Sequence, residues 1–240
     1  MKILALDSTS KTATAAITED EKLIGLTVLD TQNTHSVTLL PTINSLLENS
    51  GTDIGEIDLF VCSAGPGSFT GVRIGAATVK GLAFTENKPC VGVSSLEALA
   101  MNINAENGII CPVMDARRGQ LYNALFSAEA DGKMKRLTED RIITKDELRD
   151  ELYGRGVRIY LTGDGYKIAK AALTETDCPE TPELQRYHNA YNVALLGYRK
   201  YLSASESERE AFTPSALSPI YLRASQAERE RLEREAMRSK

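Results

Sequence analysis

Long apolar runs are missing from this chain. No stretch approaches the ~20 consecutive apolar residues that a membrane-spanning helix needs, and the N-terminal run Ile3-Leu4-Ala5-Leu6 meets Asp7 too early to serve as a secretory leader. Cysteine pairs are missing too. The four cysteines, at 62, 90, 111 and 178, lie far apart without a CxxC, and three of them sit in apolar strand-like runs, so buried reduced thiols are expected. Only two histidines occur, His35 and His188, and neither has a metal-type neighbour at i+3 or i+4, which argues against a structural zinc site. Positive charge is also short. A net charge of −5 argues against this chain alone gripping a nucleic-acid backbone, so any RNA is expected to be reached through a partner. What remains, 42% apolar and 25% charged over 240 residues, is the composition of a soluble protein of one large or two small domains. A cytoplasmic location without membrane contact follows as the expectation.

The stretch around which the chain is organised is Gly65–Gly75, GPGSFTGVRIG. It follows the apolar run Leu59-Phe60-Val61-Cys62 and leads into Val72, Ala76, Val79 and Ala83, spaced as one helical face. It therefore joins a strand to a helix, where free backbone N–H groups often hold phosphate. The phosphate templates do not fit. Five residues separate Gly65 from Gly71 and valine stands where a Walker loop needs lysine; Thr70 replaces the third glycine of GxGxxG; and GSFTG is not the nucleophile spacing GxSxG. Gly71, Gly75, Thr78 and Leu82 form a second stripe of little bulk, with Ala77 and Gly81 beside it. Each helical glycine costs about 0.5–1 kcal/mol relative to alanine, so close backbone approach is expected, either to this protein's own sheet or to a partner helix. Exposed Arg73 and Lys80 suit an interface rim or a solvated face equally.

In chain order, strands are expected at Lys2–Leu6, Thr12–Thr18 and Lys22–Asp30. A helix from Val37 to Leu47 follows, stopped by Gly51, with Pro41 either near its first turn or kinking it. The strand at Leu59, the helix after Gly71, a strand at Cys90–Val93 and a helix opened by the capping box Ser94–Glu97 complete the first half. The second half repeats the pattern. Ile109–Met114 ends at Asp115, Gln120–Phe126 is its partner, the turn Asp131-Gly132 leads to a third strand, Thr144–Glu147 caps a helix, and Val157–Thr162 leads through Gly163-Asp164-Gly165 into another helix. Strand, strand, strand, helix, strand, helix thus occurs twice, which suggests two like lobes facing across a cleft. Asn189–Leu202 reads as a further helix, and Ala224–Lys240 as a charge-dense helical tail with i,i+4 ion pairs.

That α/β order is similar to the duplicated βββαβα of the actin-like ATPases, the ASKHA group with its ribonuclease-H-like lobes. In that fold nucleotide phosphates lie between two hairpin loops that each begin with an aspartate, and Asp7 and Asp115 take those places here. The first loop, Asp7-Ser8-Thr9-Ser10, lacks a glycine, and Arg117 and Arg118 precede Gly119 in the second, where they are expected to crowd the space. A degenerate nucleotide cleft is expected, with Asp7, Ser8, Thr9, Asp115, Gly163 and Gly165 as its remnant and only weak ATP or ADP binding. Local backbone hydrogen bonding is the alternative use of Asp7 and Asp115.

AGPGSFTGVRIG resembles the signature of the TsaB (YeaZ) family, and LALDSTS, HSVTLLPTI, VGVSSLEALA, VMDARRGQLYNALF, LTGDGY and PIYLR extend the resemblance over most of residues 2–223. The resemblance implies a non-catalytic subunit that requires no cofactor. It would dimerise with a TsaD-like transferase, which moves a threonylcarbamoyl group to the adenosine 3′ of the anticodon in tRNAs reading codons that begin with adenine. A TsaE-like ATPase would join near the junction, tRNA would be met only through the complex, and a homodimer would form when the chain is alone. It also implies a helix-bundle interface from His35–Asn49 and Gly71–Phe84, formed by His35, Leu39, Leu40, Ile43, Gly71, Val72, Arg73, Gly75, Ala76, Thr78, Val79 and Leu82. Lobes at 1–105 and 106–223 and a tail at 224–240 are the expected domains. Two alternatives stand beside this: an independent actin-like ATPase or kinase, and a glycoprotease-like metallopeptidase. Against the latter, the metal-binding HxxxH of TsaD falls on Ser95 and Leu99, and leucine cannot ligate a metal.

Overall fold

A computed structural model describes residues 1–31, 33–129 and 133–223. The chain opens with β1 (Lys2–Asp7), β2 (Ala13–Glu19) and β3 (Lys22–Leu29), then α1 (His35–Ser50), β4 (Leu59–Gly65), α2 (Phe69–Thr85), β5 (Cys90–Ser94) and α3 (Ser95–Ala100). The five strands form one sheet in the order β3-β2-β1-β4-β5, with β4 and β5 parallel to β1. Alternation along β1 and β4 sends Leu4, Leu6, Phe60 and Cys62 to the face covered by α1 and α2, while Ile3, Ala5, Leu59 and Val61 go to the opposite face. Gly51, at φ 62°, closes α1 in the left-handed conformation that the sequence anticipates. Pro41 lies in the interior of α1 rather than in its first turn, and the helix continues to Ser50.

The second lobe runs β6 (Gly108–Asp115), β7 (Gln120–Asn123), β8 (Phe126–Ala128), β9 (Met134–Arg136), β10 (Arg141–Thr144), α4 (Lys145–Leu152), β11 (Ile159–Thr162) and α5 (Tyr166–Ala172). The single strand expected at Gln120–Phe126 is two short ones, both antiparallel to β6 in one continuing register. The break falls opposite Pro112, which has no N–H to give. There the Asn123 amide donates to the Pro112 carbonyl, and Leu125 N–H turns away to Thr138 Oγ1. β9 and β10 pair with β8 and β7 in turn and so form the third strand in two pieces, while β11 lies parallel on the other side of β6; with each split strand taken as one, strand, strand, strand, helix, strand, helix does occur twice. Thr144 and Glu147 form the complete capping box at α4. At α3 only half of one forms: Ser94 Oγ accepts from Glu97 N–H, but the Glu97 carboxylate pairs with Arg136 of the second lobe at 2.8 Å. The turn Asp131-Gly132 and the tail 224–240 lie outside the described residues.

After the second lobe the chain returns to the first. Asn189 caps α6 (Ala190–Ser203), whose Val193 and Ala194 cover the face of the first sheet opposite α1 and α2. The short α7 (Glu206–Glu210) follows. Phe212 O then accepts from Cys90 N–H along the edge of β5, and Ile220 N–H donates to Ala64 O. Residues 190–220, expected within the second lobe, therefore pack on the first. All four cysteines are buried and free.

The glycine stripe faces inward, which corrects its use in an interface. A side chain at Gly71 would collide with the Ser8 carbonyl, and a Cβ at Gly75 would lie 2.7 Å from Ser8 Oγ and 3.2 Å from Leu6 Cδ1. Val72, Ala76, Val79, Leu39 and Ile43 are likewise buried in this subunit's own core. None of these seven residues, all expected at the interface, has surface to offer a partner. Gly75→Leu should therefore lose stability: the helix-propensity gain, under about 1 kcal/mol, is smaller than the roughly 1–3 kcal/mol cost of overpacking. Urea denaturation of the monomer checks this, and an unchanged or raised midpoint would contradict the packing.

Candidate functional site

The cleft between the lobes is built where β1 ends. Asp7 is fully buried and both its oxygens are taken. Oδ1 accepts from Thr9 N–H and Thr9 Oγ1, each at 2.7 Å, while Oδ2 accepts from Ser63 Oγ at 2.5 Å and lies 2.9 Å from His188 Nδ1. His188 stands just before α6 and is equally buried, with no partner at Nε2 among the described residues. Burial, the largest influence, would lift the Asp7 carboxyl. The facing His188 charge and the hydrogen bonds from His188, Ser63 and Thr9 outweigh it together and hold Asp7 at about 2. For His188 burial pulls the imidazole down, but Asp7, by charge and hydrogen bond, and the more distant Asp164 reverse this and leave it raised. Both shifts favour the ionised form of the pair.

Of the expected nucleotide remnant, Asp7 and Ser8 are sealed beneath the surface, and Ser8 Oγ donates to the Gly71 carbonyl at 2.9 Å. Gly163 and Gly165 pack on β6: a Cβ at Gly163 would strike the Val113 carbonyl, and one at Gly165 would lie 2.9 Å from Leu121 Cδ2. Thr9 and Asp115 alone of the six line the inter-lobe cavity, which has a volume of about 390 Å³. Asp115 accepts from Arg117 N–H at 2.7 Å and pairs with its guanidinium at 3.4 Å, so local hydrogen bonding is the use observed. Arg117 and Arg118 do not fill the space. Both hold left-handed backbone, at φ 66° and 55°, and are exposed along the cavity rim. Asp164 also lines the cavity and accepts from Asp115 N–H; local burial raises its carboxyl although the residue as a whole is exposed. Ser95 and Leu99 are both buried, Ser95 Oγ donating to the Pro66 carbonyl and Leu99 packing in the core beneath α3.

Sequence reasoning missed His188, Asp164 and the strap at residues 220–223. Tyr221 stacks on Phe69 with ring centroids 4.7 Å apart and accepts from Arg73 Nε at 2.7 Å. Arg223 donates to Ala116 O at 3.0 Å, so the strap bridges the first lobe to the second.

The buried pair makes stability depend on pH with a definite sign. The His188 contribution is complete below its unfolded value of about 6.5 and is lost as pH rises through the raised folded value. The Asp7 contribution is present above its unfolded value of about 3.9 and is lost as pH falls toward its depressed one. His188→Gln, which removes one charge of a buried pair, should cost about 3–5 kcal/mol. Urea unfolding should show a larger deficit at about pH 5 than at about pH 9. A deficit independent of pH would contradict an ionised pair.

Comparison with known proteins agrees with this geometry. The family model described as TsaD: tRNA N6-adenosine threonylcarbamoyltransferase matches residues 12–230. The tRNA threonylcarbamoyladenosine biosynthesis protein TsaB of Bacillus subtilis is 30% identical over 231 residues, which is 95% of this chain and 96% of that protein. Its Escherichia coli namesake is 34% identical over 134 residues, 55% of this chain and 58% of its own length. Among solved structures, YeaZ from Pseudomonas aeruginosa superposes with a TM-score of 0.73 at 22% identity, over 92% of this chain and 99% of that one. Component A of the Acidaminococcus fermentans (R)-2-hydroxyglutaryl-CoA dehydratase shares the fold at a TM-score of 0.51 and 12% identity, over 85% of this chain and 100% of that one. The chain belongs to the TsaB (YeaZ) family.

Proposed function

We infer that this protein takes part in threonylcarbamoyladenosine synthesis on tRNA as a non-catalytic subunit that pairs with a TsaD-like transferase in the cytoplasm. The observation that carries the reading is the sealing of Asp7. The carboxylate that an actin-like ATPase would turn toward its nucleotide is buried here against Thr9, Ser63 and His188. The positions matching TsaD's metal-binding histidines, Ser95 and Leu99, are buried as well and hold no ligating pair. What the chain retains is a scaffold and a surface. The independent ATPase and the metallopeptidase are correspondingly weakened.

The surface proposed for the partner is the outer face of α1 and α2. Val37 is 64% exposed, Leu40 49% and Phe84 78%. Ala77, Thr78, Gly81 and Phe84 recur at helical spacing opposite the buried stripe. From the residues expected at the interface, Leu40 and Arg73 are exposed, while His35, Thr78 and Leu82 are partly so. Gly81, not Gly75, is the open glycine: a Cβ there would meet nothing within 4 Å. A face of this kind suits the heterodimer and, when the chain is alone, a homodimer, with the TsaE-like ATPase joining near the junction.

Gly81→Leu should therefore keep or slightly raise monomer stability, by up to about 0.8 kcal/mol from helix propensity, while blocking association with the cell's own TsaD-like protein. Light scattering of the mixed proteins, beside a melting curve of the monomer, checks both. Unchanged association would place the partner elsewhere.

A further inference from the structure

The inter-lobe cavity carries a charge opposite to that of the chain around it. Lys11 from the first hairpin loop, Arg117 and Arg118 from the second, and Arg223 from the strap all line it, against the carboxylates Asp115 and Asp164. The whole chain is at −5. Asp115 is occupied by Arg117, and Arg223 reaches Ala116 O. Lys11 faces Asp164 by charge without a direct hydrogen bond, and Arg118 has no hydrogen-bond or ion-pair partner among the described residues, so two cations face the space and Arg118 is uncommitted. Arg118 sits in left-handed backbone, at φ 55°, between Arg117 at 66° and Gly119 at 74°. That conformation is unfavourable for an L-residue, and glycine would hold the same turn without the penalty. Something other than the turn accounts for an arginine there.

Aromatic rings share the cavity. Phe69, Tyr122 and Tyr221 line it beside the cations, Phe69 and Tyr221 as a stacked pair. Cations interleaved with aromatic rings suit a phosphodiester next to an unstacked base. They suit a metal–nucleoside triphosphate less well: both Asp7 oxygens are bonded and buried and Asp115 is tied to Arg117, which leaves Asp164, itself facing Lys11, as the carboxylate of the cavity to meet a divalent ion.

We propose that this cavity is a contact site for single-stranded RNA, in which Lys11 and Arg118 hold a backbone phosphate and the Tyr122 and Tyr221 rings border the adjoining base. The proposal rests on the tRNA reading above and deepens it, since this chain would then touch the RNA directly rather than only through its partner.

The test uses the full chain and a fluorescent single-stranded RNA of about ten nucleotides, followed by anisotropy at low salt and on salt titration. Binding should weaken at least about fivefold in Lys11→Gln and in Arg118→Gly, with the salt slope falling by about 0.7 for each phosphate interaction removed. Arg118→Gly should meanwhile be at least as stable as the parent, a combination that a merely structural arginine would not give. Association with the TsaD-like protein, measured on the same variants, should be unchanged. If the parent chain fails to associate with that protein, the proposed function falls but the RNA result still stands by itself. Three outcomes would overturn the cavity's assignment: no RNA binding by the parent, equal RNA binding by both variants, or magnesium-ATP filling the cavity without competition from RNA.

Discussion

Backbone packed on backbone, at the meeting of the first hairpin loop with the start of α2, is the constraint on which the rest of the molecule depends. Gly67 and Gly71 lie against the Thr9 and Ser8 carbonyls at separations that no Cβ would allow, and Ser68 N–H donates to Thr9 O at 2.7 Å. This packing fixes the Asp7–Ser10 loop from above while Asp7 ties it from below to Ser63 on β4 and to His188. Three distant parts of the chain are pinned at one point. The free energy that glycine costs a helix is offset by an approach no other residue permits, so the signature GPGSFTGVRIG is first a statement about internal packing.

The consequence is that α2 has two faces with separate duties. Its inner face, Val72, Gly75, Ala76, Val79 and Ala83, belongs to the core. Its outer face, where Ala77, Gly81 and Phe84 lie open, is free for another protein. The strap adds a third role at the N-terminus of the helix, where Phe69 and Arg73 receive Tyr221. A single helix thus joins the core, the proposed partner surface and the cleft, and its small residues serve different ends on different sides.

Much of this was legible in the sequence because it is local. Periodicity marked α1, α2 and the strands of both sheets, Gly51 marked the end of α1, and the doubled element order pointed to two lobes. The glycine stripe was visible too, but a stripe does not say which way it faces, and only the carbonyl of Ser8 decides that. Non-local facts left no trace. His188 meets Asp7 across 181 positions of chain, and nothing around residue 188 announces a charged partner. Likewise Arg136 draws Glu97 out of its capping box, and Pro112 splits one expected strand into two by withholding a single N–H. Arg117 and Arg118 read as obstructions because their bulk is evident in sequence, whereas their placement on the rim depends on backbone angles, which are not.

If the inward stripe of α2 builds the fold while its outward face meets the partner, side-chain exposure must change on one side only. Hydroxyl-radical footprinting of the chain, alone and with the TsaD-like protein, reads that exposure residue by residue. Phe84, Leu40 and Val37 should lose reactivity in the complex, while Leu184 and Tyr153, equally open on the second lobe at 76% and 61% exposure, keep theirs. Protection of Leu184 or Tyr153 with Phe84 and Leu40 still reactive would contradict this division of the helix.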